Sequence, residues 1–344
     1  KMTQNTTVLV TGASGFVGIH CVAILLKEGY QVRGTVRSME HEEALRKTLS
    51  KLVDADDRFF LVETDLLSDS GWDKAMQDCD YVLHVASPFP LGEPKDEDDL
   101  IIPAREGTLR VLRAASRNGV KRVVQTSSVA AIAYGHPKEK INFDESDWSV
   151  PNSPTISAYS KSKTLAEHAA WDFVQNLPED NQMELATINP GLILGPLPDT
   201  NPRTSGVLVQ SLMQSVVPGL ARMHFNAVDV RDVASAHLAA MISPKAAGQR
   251  FICVSDSFWM EDVALVLKEA YASQGYKIKT NVFPSWIVRL VALFNKEARA
   301  TVDSLDQELH VDNTRIKEVL GWQPRNMKEM VLSMAESMVT LEMI

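Results

Sequence analysis

Cysteine is scarce: the 344 residues hold three, Cys21, Cys79 and Cys253. They are odd in number, far apart and form no CxxC pair. That excludes a disulfide framework and fits a reducing cytoplasm. Basic excess is absent too. Lys and Arg total 35 against 44 Asp and Glu, a net charge of −9, so a nucleic-acid partner is not expected. No stretch approaches the ~20 apolar residues of a membrane span. The nearest, 286–294, is broken by Arg289 and reads as a buried or half-buried helix rather than a membrane contact. Lys1 to Thr7 is polar, and the apolar run after it breaks at Thr11-Gly12, so no secretory leader is expected. The eight His are scattered without a second His or Cys at ligand spacing, so no metal site is expected. His84, inside an apolar run, reads as a core histidine, and no GxSxG elbow occurs.

What is present is an ordinary globular composition, 45% hydrophobic and 23% charged, long enough to bury a large core without staples. Val/Ile/Leu-rich runs at 7–10, 31–36, 59–63, 81–85, 122–126 and 184–189 lack polar alternation, as strands covered on both faces do. Helical patterns at 16–27, 42–53, 72–77, 98–115 and 157–174 separate them. This alternation predicts an α/β fold, a Rossmann-type doubly wound parallel sheet with right-handed crossovers. Glycine and proline cluster between Asn189 and Gly206, which predicts a long loop. We therefore place a dinucleotide-binding domain at 1–190 and a smaller substrate lobe at 191–344, with about 227–242 returning to the first.

The run Val8-Leu-Val-Thr-Gly12-Ala-Ser-Gly15-Phe-Val-Gly18 follows the first strand and opens the first helix. Gly12 permits a tight turn, Gly15 lets backbone approach a pyrophosphate, and Gly18 lets the helix pack closely on the sheet. The spacing is GxxGxxG. At the end of the second strand, Arg33-Gly-Thr-Val-Arg37-Ser38 offers no acid for a ribose hydroxyl. Arg37, helped by Ser14 and Arg33, is assigned to a 2′-phosphate, which predicts NADP(H) rather than NAD(H). Asp65-Leu66, after the third strand, either faces the adenine ring or starts a helix with Asp65 as its N-cap.

Tyr159 and Lys163 stand four apart on a helical pattern and so share one face. A nearby ammonium stabilises a phenolate, making the phenol a usable proton donor. Lys161, at i+2, belongs to another face. Ser127 and Ser128 close the fifth strand, at the sheet edge where ligands gather. A hydroxyl there can steady the charge developing on a carbonyl oxygen. Ser128 is preferred and Ser127 is the runner-up.

The ordered set TGASGFVG (11–18), VRGTVRS (32–38), HVASP (84–88), TSS (126–128), YSKSKTLAEHAAW (159–171), NPGLILGP (189–196) and VDVRDVASAH (228–237) resembles the extended short-chain dehydrogenase/reductases. The likeness is to the group of dihydroflavonol, cinnamoyl-CoA and methylglyoxal (ketone) reductases. It implies Ser128, Tyr159 and Lys163 as the catalytic triad, with Lys163 also on the nicotinamide ribose. It further implies Gly12, Ser14, Gly15, Phe16, Val17, Gly18 and Arg37 around the cofactor phosphates. Ala86 and Ser87 would pass beside the cofactor, and Pro190, Leu192 and Ile193 would hold the nicotinamide. Asp229 and Asp232 would be structural. Candidate substrate-lining residues are Phe89, Val129, Tyr134, Pro154 and Asn226. Plant dihydroflavonol reductases carry an Asn where this chain has Ala133, which counts against a flavonoid substrate. They also tend to carry a Lys after the second strand, where this chain reads Met39 to Ala44. The expected activity is NADPH-dependent reduction of a ketone or aldehyde to an alcohol. The alternatives are an NAD-dependent sterol-type dehydrogenase or nucleotide-sugar epimerase, and a non-catalytic dinucleotide sensor. The expected partner is a small carbonyl or alcohol substrate. Pairing into a homodimer through the helix of Tyr159 stays open beside a monomer.

Overall fold

Apolar runs without polar alternation need cover on both faces, and the chain supplies it with helices from every crossover. The computed structural model describes residues 5–88, 96–216, 218–294 and 301–344. Its strands are β1 (Thr7–Thr11), β2 (Gln31–Val36), β3 (Phe59–Glu63), β4 (Tyr81–His84), β5 (Arg122–Thr126), β6 (Asn142–Phe143), β7 (Glu184–Pro190), β8 (Leu192–Leu194), β9 (His224–Asp229), β10 (Arg250–Cys253), β11 (Asp256–Trp259) and β12 (His310–Val311). The helices are α1 (Phe16–Lys27), α2 (Glu42–Ser50), α3 (Trp72–Met76), α4 (Asp98–Arg117), α5 (Ala158–Gln175), α6 (Arg203–Met213), α7 (Val230–Ile242), α8 (Met260–Tyr271), α9 (Ser285–Val291), α10 (Thr314–Leu320) and α11 (Met327–Thr340).

Seven strands form a sheet in the order β3-β2-β1-β4-β5-β7-β10, every neighbouring pair parallel. The order reverses between β1 and β4, so a crevice opens above their carboxyl ends. Successive residues of a strand face opposite ways, and the core divides accordingly. Val8, Val10, Leu83 and Val124 join α1 and α7 in one cluster. Leu9, Val82, Val123 and Leu185 join α3, α4 and α5 in another. Such doubly covered strands explain the unbroken apolar runs of the sequence.

A second, three-stranded sheet orders β11-β9-β8, with β8 parallel to β9 and β11 antiparallel to it. It packs with α6, α8 and α11 around Val209, Leu212, Val263, Leu267, Met330 and Met334. Two strands, β6 and β12, pair separately. No helix among the described residues is long and apolar enough to cross a membrane.

Two expectations are corrected. The segment 189–206 is not one long loop: it holds β8, and α6 begins at Arg203. Gly195, at φ +111°, turns the chain between them, and Pro202 stands immediately before the helix. Both are local breakers that punctuate elements rather than abolish them. The 286–294 stretch does form a helix in its first part, but it is not half-buried. Val288 and Ala292 are buried and Ile287 partly so, while Trp286 is 61% and Phe294 92% exposed.

Candidate active site

The glycine turn is built on Thr11, the last residue of β1. Its hydroxyl oxygen accepts from the backbone N–H of Val85 (3.0 Å) and Ala86 (2.9 Å) just beyond β4. The hydroxyl proton is thereby left for His84 Nδ1 at 2.9 Å. Burial, with help from the Lys163 ammonium, pushes the His84 imidazole down to about 3, so it is a neutral acceptor. The chain then enters Gly12 at φ +66°, where a side-chain Cβ would meet Ala86 Cβ at 3.0 Å. Gly12 donates its N–H to Thr35 Oγ1 at 3.2 Å, tying the turn to β2. At Gly18 a Cβ would overlap the Gly12 carbonyl oxygen and lie 2.9 Å from its carbon. The turn is therefore a cradle held open by missing Cβ atoms.

α1 starts on this cradle with Gly15 as a cap that has no side chain. Helix geometry leaves the N–H groups of Phe16, Val17 and Gly18 without intrahelical acceptors, at the positive end of the helix dipole. This arrangement fits a pyrophosphate. Ser14 and Arg37 are exposed beside it. Arg33 is not, and its assignment as a phosphate helper is corrected. Its guanidinium donates to the carbonyls of Ala75 (2.7 Å) and Gln77 (2.8 Å), which are the end of α3. Asp65 is not the cap of a helix either. Its carboxylate accepts from Leu67 N at 2.9 Å in a turn, the next helix begins at Trp72, and Leu66 gives its carbonyl to Arg110.

The second half of the site comes from α5, which is capped by Ser157 accepting from Ser160 N at 3.1 Å. Tyr159 stands in the first turn, 43% exposed. One turn on, Lys163 Nζ lies 5.8 Å from the Tyr159 ring centre and donates to Ser87 Oγ at 3.0 Å. Ser87 directly follows Ala86, which closes over Gly12, so the phenol–ammonium pair and the glycine cradle share one cleft. Lys161 points elsewhere, to Glu97 at 2.6 Å.

The two serines after β5 part company. Ser127 Oγ turns into the core and donates to the Glu167 carboxylate at 2.5 Å. Ser128 Oγ accepts from Ala130 N at 3.1 Å and caps the single turn Val129–Ala131. Its hydroxyl hydrogen is not spent in that bond. Tyr134, beyond that turn, is 38% exposed, and burial together with Tyr159 raises its phenol above the usual range. Val129 is buried and Pro154 exposed. Asn226 spends its amide inside the lobe, donating to Leu309 O (3.0 Å) and accepting from Ser257 Oγ (2.6 Å). Phe89 lies outside the described residues.

Pro190 ends β7, and Leu192 and Ile193 begin β8 one residue later. Between them Gly191 touches the Asn226 backbone so closely that a Cβ would lie 2.7 Å from its carbonyl carbon. The chain thus passes from the seven-stranded sheet to the three-stranded one two residues after Asn189, whose amide donates to the Ser128 carbonyl. Asp229 caps α7 and pairs with Arg231. Asp232 binds Arg325 in the segment before α11. Glu167 is the residue that the sequence reading passed over. Nothing local marks it: α5 carries it into the core, and its partners lie on other strands. No group of three His, Cys, Asp or Glu is placed to hold a metal among the described residues.

Residues 8–253 match the model of the NAD dependent epimerase/dehydratase family. The chain belongs to that family. Within it, the chain is 33% identical to the NADPH-dependent methylglyoxal reductase GRE2 of Saccharomyces cerevisiae, over 98% of this chain and 99% of that protein. It is 35% identical to the cinnamoyl-CoA reductase CAD2 of Medicago truncatula, over 77% and 81%. The crystal structure of yeast methylglyoxal/isovaleraldehyde reductase Gre2 complexed with NADPH superposes with a TM-score of 0.82 at 30% identity, covering 98% and 99% of the two chains. The extended short-chain dehydrogenase/reductase resemblance and the Rossmann-type sheet are therefore both correct.

Proposed function

We propose that this family member is an NADPH-dependent reductase that turns a ketone or aldehyde into an alcohol. The observation that carries the proposal is the Lys163 ammonium, which bridges the Tyr159 phenol and the turn closed over Gly12. One side chain thereby couples a proton donor to a dinucleotide cradle. The NADPH-dependent reductases among the relatives support the same cofactor and substrate class.

Bound NADPH supplies the hydride. The chain's own residues do the rest. Gly12, Gly15 and the N–H groups opening α1 hold the pyrophosphate, and Arg37 takes the 2′-phosphate. Pro190, with Leu192 and Ile193, borders the nicotinamide end. Ser128 directs its hydroxyl hydrogen to the carbonyl oxygen and steadies the charge that grows there. Tyr159 then gives that oxygen its phenolic proton, and Lys163 stabilises the phenolate left behind. Val129, Tyr134 and Pro154 are assigned to the substrate.

Replacing Tyr159 by Phe removes the proton and leaves the ring. Turnover of NADPH with a carbonyl panel should fall by about 10²–10⁴-fold, with NADPH affinity by fluorescence titration little changed. A Tyr159→Phe protein with undiminished turnover overturns the mechanism.

A further inference from the structure

Glu167 is wholly buried, yet nothing in the proposed chemistry uses it. Its carboxylate accepts from β7, β10, the residue after β5 and its own helix. Oε1 accepts from Arg250 Nε (2.6 Å) and Trp171 Nε1 (3.2 Å), and shares the one proton of Thr187 Oγ1 (3.2 Å) with Asn189 Oδ1 (3.0 Å). Oε2 accepts from Ser127 Oγ (2.5 Å) and Asn189 Nδ2 (2.8 Å). The same Asn189 amide nitrogen donates to the backbone carbonyl of Ser128 at 3.2 Å. Ser127 N also donates to Ile188 O at 2.7 Å. One carboxylate therefore ties the residue after β5 and the carboxyl-terminal part of β7 to the first residue of β10, beside the point where Ser128 follows β5.

From this we infer that Glu167 is a positioning residue, which fixes the Ser128 hydroxyl over the reacting carbonyl through Asn189 and Ser127. The inference rests on the role given to Ser128 above. A purely structural ion pair would need only Arg250. Here Oε2 faces away from the arginine and is used entirely to hold the serine turn and its neighbour.

The chemistry of the donors makes the inference specific. In Glu167→Gln, the amide oxygen stays with Arg250 and Trp171, and the NH2 group replaces Oε2. Ser127 can rotate its hydroxyl and accept. Asn189 cannot, because its nitrogen only donates, and turning the amide over to present its oxygen would take the N–H away from the Ser128 carbonyl. The clash therefore falls on Asn189, and through it on the carbonyl of Ser128.

The experiment is a double-mutant cycle with the full chain, NADPH and one carbonyl substrate. Glu167→Gln should lower kcat on the order of 100-fold, as misplacement of a reacting group does, while NADPH affinity and substrate KM stay near wild type. In a Ser128→Ala background the same change should cost almost nothing further. Asn189→Ala, which keeps the Glu167–Arg250 pair, should reproduce both results and decides the matter if Glu167→Gln does not fold. Equal losses in the two backgrounds, or an unaffected kcat, overturn the positioning role. An undiminished kcat in Ser128→Ala alone overturns the reading of the site, and the inference with it.

Discussion

Gly18→Ala is a single added methyl group whose cost can be worked from the cradle. The new Cβ would lie 2.9 Å from the Gly12 carbonyl carbon and 3.2 Å from Ala13 Cα, and would overlap the Gly12 oxygen. Carbon atoms pack comfortably at about 3.5–4.0 Å, so something must move by more than half an ångström. The obstacle is backbone rather than a flexible side-chain end. It is also pinned: Gly12 N is held by Thr35, and Thr11 by Val85 and Ala86. Overpacking against a rigid neighbour costs about 1–3 kcal/mol. Gly15→Ala is the control. There φ is not in the left-handed range, and the new Cβ meets only Gly12 O, at 3.2 Å. Thermal denaturation without cofactor should lower the Tm of Gly18→Ala by several degrees and leave Gly15→Ala near wild type. Fluorescence titration with NADPH should find both variants weakened, because both disturb the phosphate cradle. If Gly18→Ala melts with Gly15→Ala and wild type, close packing of α1 on the turn is not what fixes glycine at this position.

The two arginines near the end of β2 should separate cleanly. Arg37→Ala should weaken NADPH by roughly 10- to 100-fold, the worth of a charged hydrogen bond, and leave NADH unchanged. Arg33→Ala should spare the ratio of the two cofactors and lower Tm, because it orphans the carbonyls of Ala75 and Gln77. Acid sensitivity should begin well above the carboxylate range. Burial lowers His20 and His237 to about 4 and His84 to about 3, each below the unfolded value of 6.5. The unfolded chain binds more protons between these limits, so stability is full above pH 6.5 and falls as pH drops toward 4. Each histidine contributes on the order of a few kcal/mol to that loss. A Tm that stays flat from pH 7 to pH 4 would refute the neutral, buried assignment.

The half of the site made from contiguous chain is legible in the sequence alone. Gly12 to Gly18 signal their turn because a strand, a glycine triplet and a helix follow one another without interruption. Tyr159 and Lys163 signal theirs because helical spacing alone puts them together. What stayed hidden depends on contacts across the sheet. Arg33 and Arg37 look equivalent in the sequence. Only the fold shows that α3, more than forty residues on, presents carbonyls to one of them and not the other. Ser127 and Ser128 are adjacent and chemically identical, and what separates them is Glu167, which α5 brings to Ser127 and not to Ser128. The helix at 285–291 shows the opposite limit. Its apolar period predicts a helix but says nothing of what lies against it, and the described residues leave Trp286 and Leu290 uncovered. Periodicity reports the shape of a segment, whereas burial reports its neighbours. Residues whose role depends on a neighbour far along the chain therefore become legible only once strand order is known. Glu167 is the clearest such case, since each strand that supplies its donors looks ordinary alone and the need for a buried acid appears only where the close of β5, the body of β7 and the start of β10 lie side by side.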